Sequence, residues 1–224
     1  MGLDWLGMFL LAIPVTFGLL KVIPFYVKGF TVTWRIRVMT FLALVIVWSI
    51  TFWRFESWWL RSLIGLAFMV YLILLLVDAY EMILPDILNG IVFILGMVML
   101  FSPHRIQGGE TIISSIDQLI GLLIGVFFLV LVEVVYRLRN KWIMGGGDIK
   151  LIGATGLLIG WQLVLLGIAF SAFIALPWLV VTKRFSAEKR TQALPYGPFL
   201  ILGFMLATWA GLDLVSWYLD LIFT

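Results

Sequence analysis

The feature that most constrains the fold is an apolar run of more than 30 residues, Ile149 to Val181, in which Lys150 is the only charged residue. A helix needs about 20 residues to cross the hydrocarbon core of a bilayer. Gly160 and Trp161 divide the run, so the sequence predicts a short helix, a turn and a return helix. The first helix, with about a dozen residues, is short for a full crossing and is expected to be partly buried inside the protein.

Composition extends this conclusion to the whole chain. Of its 224 residues, 63% are hydrophobic and only 12% are charged, whereas a soluble domain has about 25% charged residues. Apolar runs recur at about 5–26, 38–53, 62–77, 86–101, 118–136, 149–159, 162–181 and 198–212. The sequence therefore predicts an all-α polytopic membrane protein with about eight transmembrane helices, forming a single membrane-embedded domain over residues 1–224. The net charge of +3 does not indicate nucleic-acid binding, because the basic residues lie in loops between apolar runs.

The distribution of Lys and Arg predicts the orientation. The loops on one side of the eight spans hold eleven basic residues and those on the other side hold three. Because cytoplasmic loops are enriched in Lys and Arg, both termini are expected outside. Asp78 and Asp148 then lie at the cytoplasmic ends of spans three and six, at one depth in the cell inner (plasma) membrane.

The spans bring the two carboxylates to one depth, though not yet to one place, and carboxylates a few ångströms apart cannot both ionise cheaply. Close carboxyl groups share a proton, so one acts as a base while the other acts as an acid. Such a pair can activate a water against a peptide carbonyl. Asp148 is expected near a helix N-terminus and Asp78 near a C-terminus, so the helix dipoles favour Asp148 as the anion and Asp78 as the proton holder. Taken singly, an interfacial Asp is more often a helix cap.

Three segments resemble a known family. VDAYEMILPDILNG (Val77 to Gly90) and GGGDIK (Gly145 to Lys150) resemble the two active-site segments of type IV prepilin leader peptidases, which are intramembrane aspartyl proteases with a Gly-x-Gly-Asp motif. ALPYGPFLILG (Ala193 to Gly203) resembles the segment before their last span, with Tyr196 in place of the usual Phe. The resemblance covers the catalytic core, about residues 60–211, whereas residues 1–59 match only loosely.

The resemblance implies that Asp78 and Asp148 are the catalytic dyad of an aspartic endopeptidase. Its substrate would be a prepilin-like precursor with a basic leader, cut at the cytoplasmic face after a glycine and before a hydrophobic helix. No cofactor is expected, and homo-oligomers are compatible with the sequence without being required. Residues expected to bind substrate or shape the loops are Glu81, Pro85, Asp86, Gly145, Gly147, Lys150, Pro195 and Gly197.

The chain departs from the common form of this family between its first two spans. Many members carry there a domain with paired cysteines, associated with N-methylation of the new terminus. Here the loop is only about ten residues, Lys28 to Arg37, and the chain contains no cysteine. The resemblance to short members therefore predicts cleavage without methylation, and the missing thiols exclude disulfides and zinc–thiolate sites.

Two other classes of function stay open at this point. Carboxylates and broken helices next to glycines also mark proton- or cation-coupled transporters, although no inverted repeat is visible. A non-catalytic scaffold for a pilus or secretion machine would not need both carboxylates. Substitution separates these classes, since only a peptidase loses cleavage when Asp78 or Asp148 is changed singly.

Overall fold

The computed structural model describes residues 18, 20–27, 33–102, 105–108, 111–139, 145–182 and 196–223. Residues 20–26, part of the first predicted span, are helical. The later helices are α1 (Trp34–Arg54), α2 (Trp58–Glu81), α3 (Asp86–Leu100), α4 (Ser115–Arg139), α5 (Gly146–Ile159), α6 (Trp161–Val181) and α7 (Gly197–Phe223). Two two-residue strands, β1 (Gln107–Gly108) and β2 (Thr111–Ile112), pair antiparallel between α3 and α4.

Five helices in the described part of the chain, namely α1, α2, α4, α6 and α7, are long and apolar enough to cross a membrane. The other two, α3 and α5, have 15 and 14 residues, which is short of a full crossing. The prediction of an all-α polytopic membrane protein is confirmed. The number of crossings and the sidedness stay predictions.

Several helices extend beyond the apolar runs from which they were predicted. α1 begins at Trp34, so part of the loop predicted at 28–37 is helical. α7 continues for 27 residues to Phe223, past the predicted end at Leu212. The predicted boundaries were wrong because hydropathy reports only the segment suited to lipid, whereas backbone hydrogen bonding carries a helix on through its polar terminal turns.

The short helix α5 lies inside the bundle. Ten of its residues, Ile149 and residues 151–159, are buried, and it contacts α3, α4, α6 and α7. The expectation that this piece is partly buried within the protein is confirmed. Because α5 begins with the glycine loop and Asp148, its neighbours determine where that aspartate lies.

Four glycines bring α4 and α5 into backbone contact. A Cβ added at Gly121 would overlap the carbonyl of Gly156, and one added at Gly125 would overlap the Cα of Gly153. Small residues at helix crossings allow such close approach in membranes, where packing rather than hydrophobic burial holds helices together. Gly121 and Gly125 lie one turn apart on the same face of α4. This contact fixes the position of α5 along its length.

Gly160 turns the chain back between α5 and α6, as the sequence predicted. Its φ of +83° lies in the region that favours glycine. Asp117 stabilises the same end of the bundle: Oδ2 accepts from the backbone N–H and the hydroxyl of Ser114, and Oδ1 accepts from Trp161 Nε1 at 2.8 Å and Gln162 Nε2 at 3.2 Å. This network ties the start of α4 to the start of α6, at the end of α5 opposite to Asp148.

Candidate active site

Asp78 lies in the last turn of α2 and is only 5% exposed. Met82 ends this helix in a left-handed conformation, φ 54°, and its N–H donates to the carbonyl of Asp78 at 2.9 Å. The carboxylate atom Oδ2 is buried and has no hydrogen-bond partner among the described residues. Because burying an unpartnered carboxylate oxygen is unfavourable, this atom is suited to bind a proton or a ligand.

Asp148 lies in the first turn of α5 and is half-buried. The helix is capped by Gly145, whose extended backbone has φ −68° and ψ 139°. The Asp148 side chain reaches back to the N–H of Gly145, and a Cβ added at Gly145 would lie 3.0 Å from its Oδ2. A side chain at the third helical position that binds the N-cap N–H is half of a capping box. Asp148 therefore also caps the N-terminus of its own helix.

The two carboxyl groups interact electrostatically. Asp148 lies on α5, which is not one of the five helices long enough to span the membrane. Burial, and after it the negative charge of Asp78, raise the pKa of Asp148 to about 6, against the lowering effect of the Gly145 N–H. Burial and the neighbouring charge therefore oppose the helix dipole, which favours an ionised Asp148, and the position of the shared proton within the pair stays a prediction.

A buried contact shows which faces of α2 and α5 meet. The hydroxyls of Tyr71 and Thr155 are 2.7 Å apart, and both residues are fully buried. Tyr71 precedes Asp78 by seven residues, and Thr155 follows Asp148 by seven. Seven residues are two helical turns and return to nearly the same face. Since α2 ends and α5 begins at the site, both aspartates lie about 10 Å along their helices from the Tyr71–Thr155 contact.

Two of the predicted loop-shaping glycines lie where no side chain fits. A Cβ added at Gly197 would lie 2.6 Å from Asp78 Oδ2, and one added at Gly147 would lie 2.8 Å from the Cβ of Leu84. Leu84 is buried and packs against both glycines. The backbone N–H of Gly197 also interacts with the Asp78 carboxyl group. The start of α7 therefore forms a third wall of the site, beside α2 and the glycine loop.

Lys150 and Asp86, both predicted to bind substrate or shape the site, pair with each other. Lys150 Nζ is 2.7 Å from Asp86 Oδ1, and the side chains are 53% and 71% exposed. Pro85 is the N-cap of α3, which begins at Asp86. Exposed pairs contribute at most about 1 kcal/mol, but this one joins the start of α3 to the first turn of α5. Glu81 is exposed at the end of α2.

Tyr196 has a hydrogen-bond partner for the hydroxyl that distinguishes it from Phe. Its hydroxyl oxygen is 2.6 Å from Oγ of Ser171, which is fully buried on α6 and donates to the carbonyl of Ile168. Tyr196 is therefore the donor to Ser171. The neighbouring Pro195, predicted as a site residue, lies outside the described residues. Among the described residues, no group of three or more His, Asp or Glu is placed to hold a metal ion.

Sequence reasoning missed Asn89. This residue is 4% exposed, and its Nδ2 donates to the carbonyl of Gly147 at 3.2 Å. Its Oδ1 is buried without a hydrogen-bond partner among the described residues. The sequence feature that could have identified it is an amide three residues after Asp86, in the first turn of a helix that is otherwise apolar beyond Asp86. Asn89 thus fixes the glycine loop immediately before Asp148.

Residues 63–180, just over half of the chain, match the type IV leader peptidase family. The chain belongs to this family. The matched segment includes Asp78 and Asp148 but ends before Tyr196 and Gly197. No solved structure is significantly similar to the chain.

Several curated proteins named prepilin leader peptidase/N-methyltransferase are similar to the chain. The protein from Legionella pneumophila is 26% identical over 156 residues, covering 69% of this chain and 52% of the relative. The relative from Pectobacterium carotovorum subsp. carotovorum is 30% identical over 175 residues, covering 75% and 56%. The one from Pseudomonas aeruginosa is 27% identical over 170 residues, also covering 75% and 56%. The chain thus spans about half the length of the curated relatives it matches.

Proposed function

We propose that the chain is an aspartic endopeptidase that cleaves the basic leader from type IV prepilin-like precursors at the cytoplasmic face of the inner membrane. The observation that carries this proposal is that Asp78, the glycine loop before Asp148 and the start of α7 meet around Leu84 at one end of the bundle. Both residues lie in the segment that matches the leader peptidase family. The names of the similar proteins support prepilins as the class of substrate.

In the proposed mechanism the dyad holds one proton, on Asp148. Ionised Asp78 takes a proton from a water molecule through Oδ2, and the water oxygen attacks the carbonyl carbon of the scissile bond. Protonated Asp148 gives its proton to the carbonyl oxygen, which forms a neutral diol. When the diol collapses, one of its protons returns to Asp148, and the proton on Asp78 passes to the leaving nitrogen. The dyad then again holds a single proton.

Three helix N-termini converge on this site. The Lys150–Asp86 pair holds the start of α3 beside the first turn of α5, α5 begins two residues before Asp148, and α7 begins against Asp78. The N-terminal end of a helix carries a partial positive charge that stabilises nearby negative charge. These ends therefore favour the anion of the dyad and the negative charge that develops on the attacked carbonyl oxygen.

The surface of the site favours recognition of a basic leader at Glu81. Lys150 neutralises Asp86, whereas Glu81 is exposed at the end of α2 with no ion-pair partner among the described residues. Gly145 and Gly146 are also exposed, so a peptide can approach Asp148 without meeting bulky side chains. Charge reversal at Glu81 should therefore impair precursors with basic leaders more than precursors whose leader charge is reversed.

The test is incubation of the purified chain with a prepilin-like precursor in detergent, followed by mass measurement of the product. Cleavage after the leader glycine is the expected result. An intact precursor under conditions in which the chain is folded would contradict the proposal. Flux of protons or cations through liposomes without any peptide would favour a transporter.

Cleavage is proposed to occur without N-methylation. The connection between the first two predicted spans is about ten residues long, and the chain contains no cysteine. Adding a methyl donor to the same reaction should leave the mass of the new N-terminus unchanged. A product heavier by one methyl group would refute this part of the proposal.

A further inference from the structure

We propose that Asn89 binds the main chain of the substrate beside the scissile bond, accepting a backbone N–H through Oδ1 while its Nδ2 holds the glycine loop. This inference rests on the proposed peptidase function. It assigns a substrate-binding role to a residue that lies outside the catalytic pair and the glycine motif.

The two ends of the Asn89 amide differ in their hydrogen bonding. Nδ2 donates to the carbonyl of Gly147 at 3.2 Å, which assigns the amide orientation, because the oxygen could not donate. Oδ1 is then left as an acceptor without a donor among the described residues, in a side chain that is 4% exposed. Buried amide oxygens in native proteins almost always have a partner, so this atom requires an explanation.

The position of Asn89 indicates what supplies the missing donor. Gly147, to which Asn89 is bonded, directly precedes Asp148 in the chain. A substrate whose scissile carbonyl lies between Asp78 and Asp148 has further backbone N–H groups one residue away on either side of that bond. A peptide is therefore the ligand at this site that brings donors of the right kind. A buried water molecule is the alternative donor.

Leu84 is the side chain that packs over this part of the loop. It is buried and lies against both Gly147 and Gly197. The neighbouring Met82 and Ile83 are 51% and 61% exposed, so the connector between α2 and α3 meets solvent or lipid on its outer side. Displacement of Leu84 by an entering peptide uncovers the loop that Asn89 holds.

The decisive experiment replaces single backbone N–H groups of the substrate by ester oxygens. The substrate is a synthetic peptide with a basic leader, a glycine at the cut and a hydrophobic segment, and the esters are placed one at a time at residues flanking the intact scissile amide. For each peptide, kcat/KM relative to the all-amide peptide is measured with the unsubstituted chain and with Asn89→Ala. This ratio does not depend on the fraction of folded enzyme.

A matched control exists at the other end of α5. Gln118 is fully buried, its Nε2 donates to the carbonyl of Leu158 at 3.2 Å, and its Oε1 has no partner among the described residues. Gln118→Ala removes the same kind of amide-to-α5 bond, but far from the dyad. An effect that comes only from weaker packing of α5 should therefore appear in both variants.

One ester position should lower kcat/KM of the unsubstituted chain and of Gln118→Ala by about 2- to 10-fold, the range expected for one hydrogen bond. With Asn89→Ala, the penalty at that position should fall below about 2-fold. Equal ester penalties in Asn89→Ala and the unsubstituted chain at every position would show that Oδ1 binds only water or nothing, and would overturn the role of Asn89 alone. Failure of the unsubstituted chain to cut the all-amide peptide would instead remove the peptidase assignment, and this inference with it.

Discussion

Asp148 combines two tasks that usually belong to different residues. It caps α5 through the N–H of Gly145, and in the proposed mechanism it shares a proton with Asp78. The cap restrains the side chain, and burial together with the neighbouring charge raises its pKa. A carboxyl group that is held in place and protonated in mildly acidic solution is what a general acid requires.

The pKa of Asp148 predicts a pH limit for cleavage. Below about 6 this group is protonated and can serve as the acid, whereas above that value it is ionised and the proton that the acid must give is lost. Cleavage of a prepilin-like substrate should therefore decline as the pH rises through about 6. The measurement is kcat against pH in detergent with saturating substrate. A rate that keeps rising through pH 8, roughly two units above this pKa, would contradict this assignment.

The Tyr196–Ser171 pair predicts non-additive effects on stability. Tyr196→Phe leaves Ser171 bonded to the carbonyl of Ile168 and should destabilise by at most about 1 kcal/mol. Ser171→Ala leaves the hydroxyl of Tyr196 without this acceptor and should cost more, about 1–3 kcal/mol. Adding Tyr196→Phe to Ser171→Ala should then recover part of that loss. Thermal unfolding in detergent measures all three variants, and simple additivity of the losses would show that the pair is not coupled.

At the scale of helices, α5 depends on close backbone packing. A Cβ added at Gly156 would overlap the carbonyl of Gly121 across the contact with α4, whereas a Cβ added at Gly90 on α3 meets no atom of the described residues within 4 Å. Position 156 therefore requires glycine, whereas position 90 does not. Moving α5 moves Asp148 relative to Asp78, so this packing bears directly on the proposed chemistry.

Gly156→Ala should therefore destabilise the protein by at least about 1–3 kcal/mol, as overpacking does, and reduce cleavage. Gly90→Ala is the matched control, because it adds the same methyl group to an open helix position and should stabilise slightly. Unfolding temperature and cleavage rate are measured for both. Equal behaviour of the two variants would show that the α4–α5 contact does not position the site.

The apolar runs predicted which helices form and in which order. They did not predict where the helices end. An apolar run far longer than one span requires a break. Gly160 correctly marked where this break falls, between α5 and α6. The predicted end of α7, Leu212, was wrong by eleven residues, because the helix continues to Phe223. A hydropathy profile assigns charged and polar residues in the terminal turns to loops, although these residues continue the helix.

At the scale of the whole molecule, the chain brings residues that are far apart in sequence to one end of a bundle. Asp78, Asp148 and Gly197 come from three helices, and Leu84 packs among them. Local patterns singled out both aspartates and the glycines, because each carries its own signal in an apolar chain. They did not identify Asn89 or the Tyr71–Thr155 bond, since those contacts depend on how distant helices pack.

The predicted sidedness can be tested because the chain has no cysteine of its own. Ile83 precedes α3 and Ile112 follows it, and both are more than half exposed. Ile83→Cys should react with a membrane-impermeant maleimide only from the cytoplasmic side, and Ile112→Cys only from outside. Labelling of inverted and right-side-out vesicles measures this. Reaction of both variants from the same side, or the reverse pattern, would refute the orientation and the cytoplasmic site.

The central claim is that Asp78 and Asp148 act as one pair. The most direct measurement is cleavage of a prepilin-like precursor by Asp78→Asn and Asp148→Asn, each purified and shown to be folded. Glu133→Gln is the control, because the ion pair of Glu133 in the described part of the chain is an exposed one with Arg137. Each Asn variant should lose at least about 100-fold in rate, while the control keeps its activity. Retention of near-normal cleavage by either Asn variant would contradict the two-aspartate mechanism.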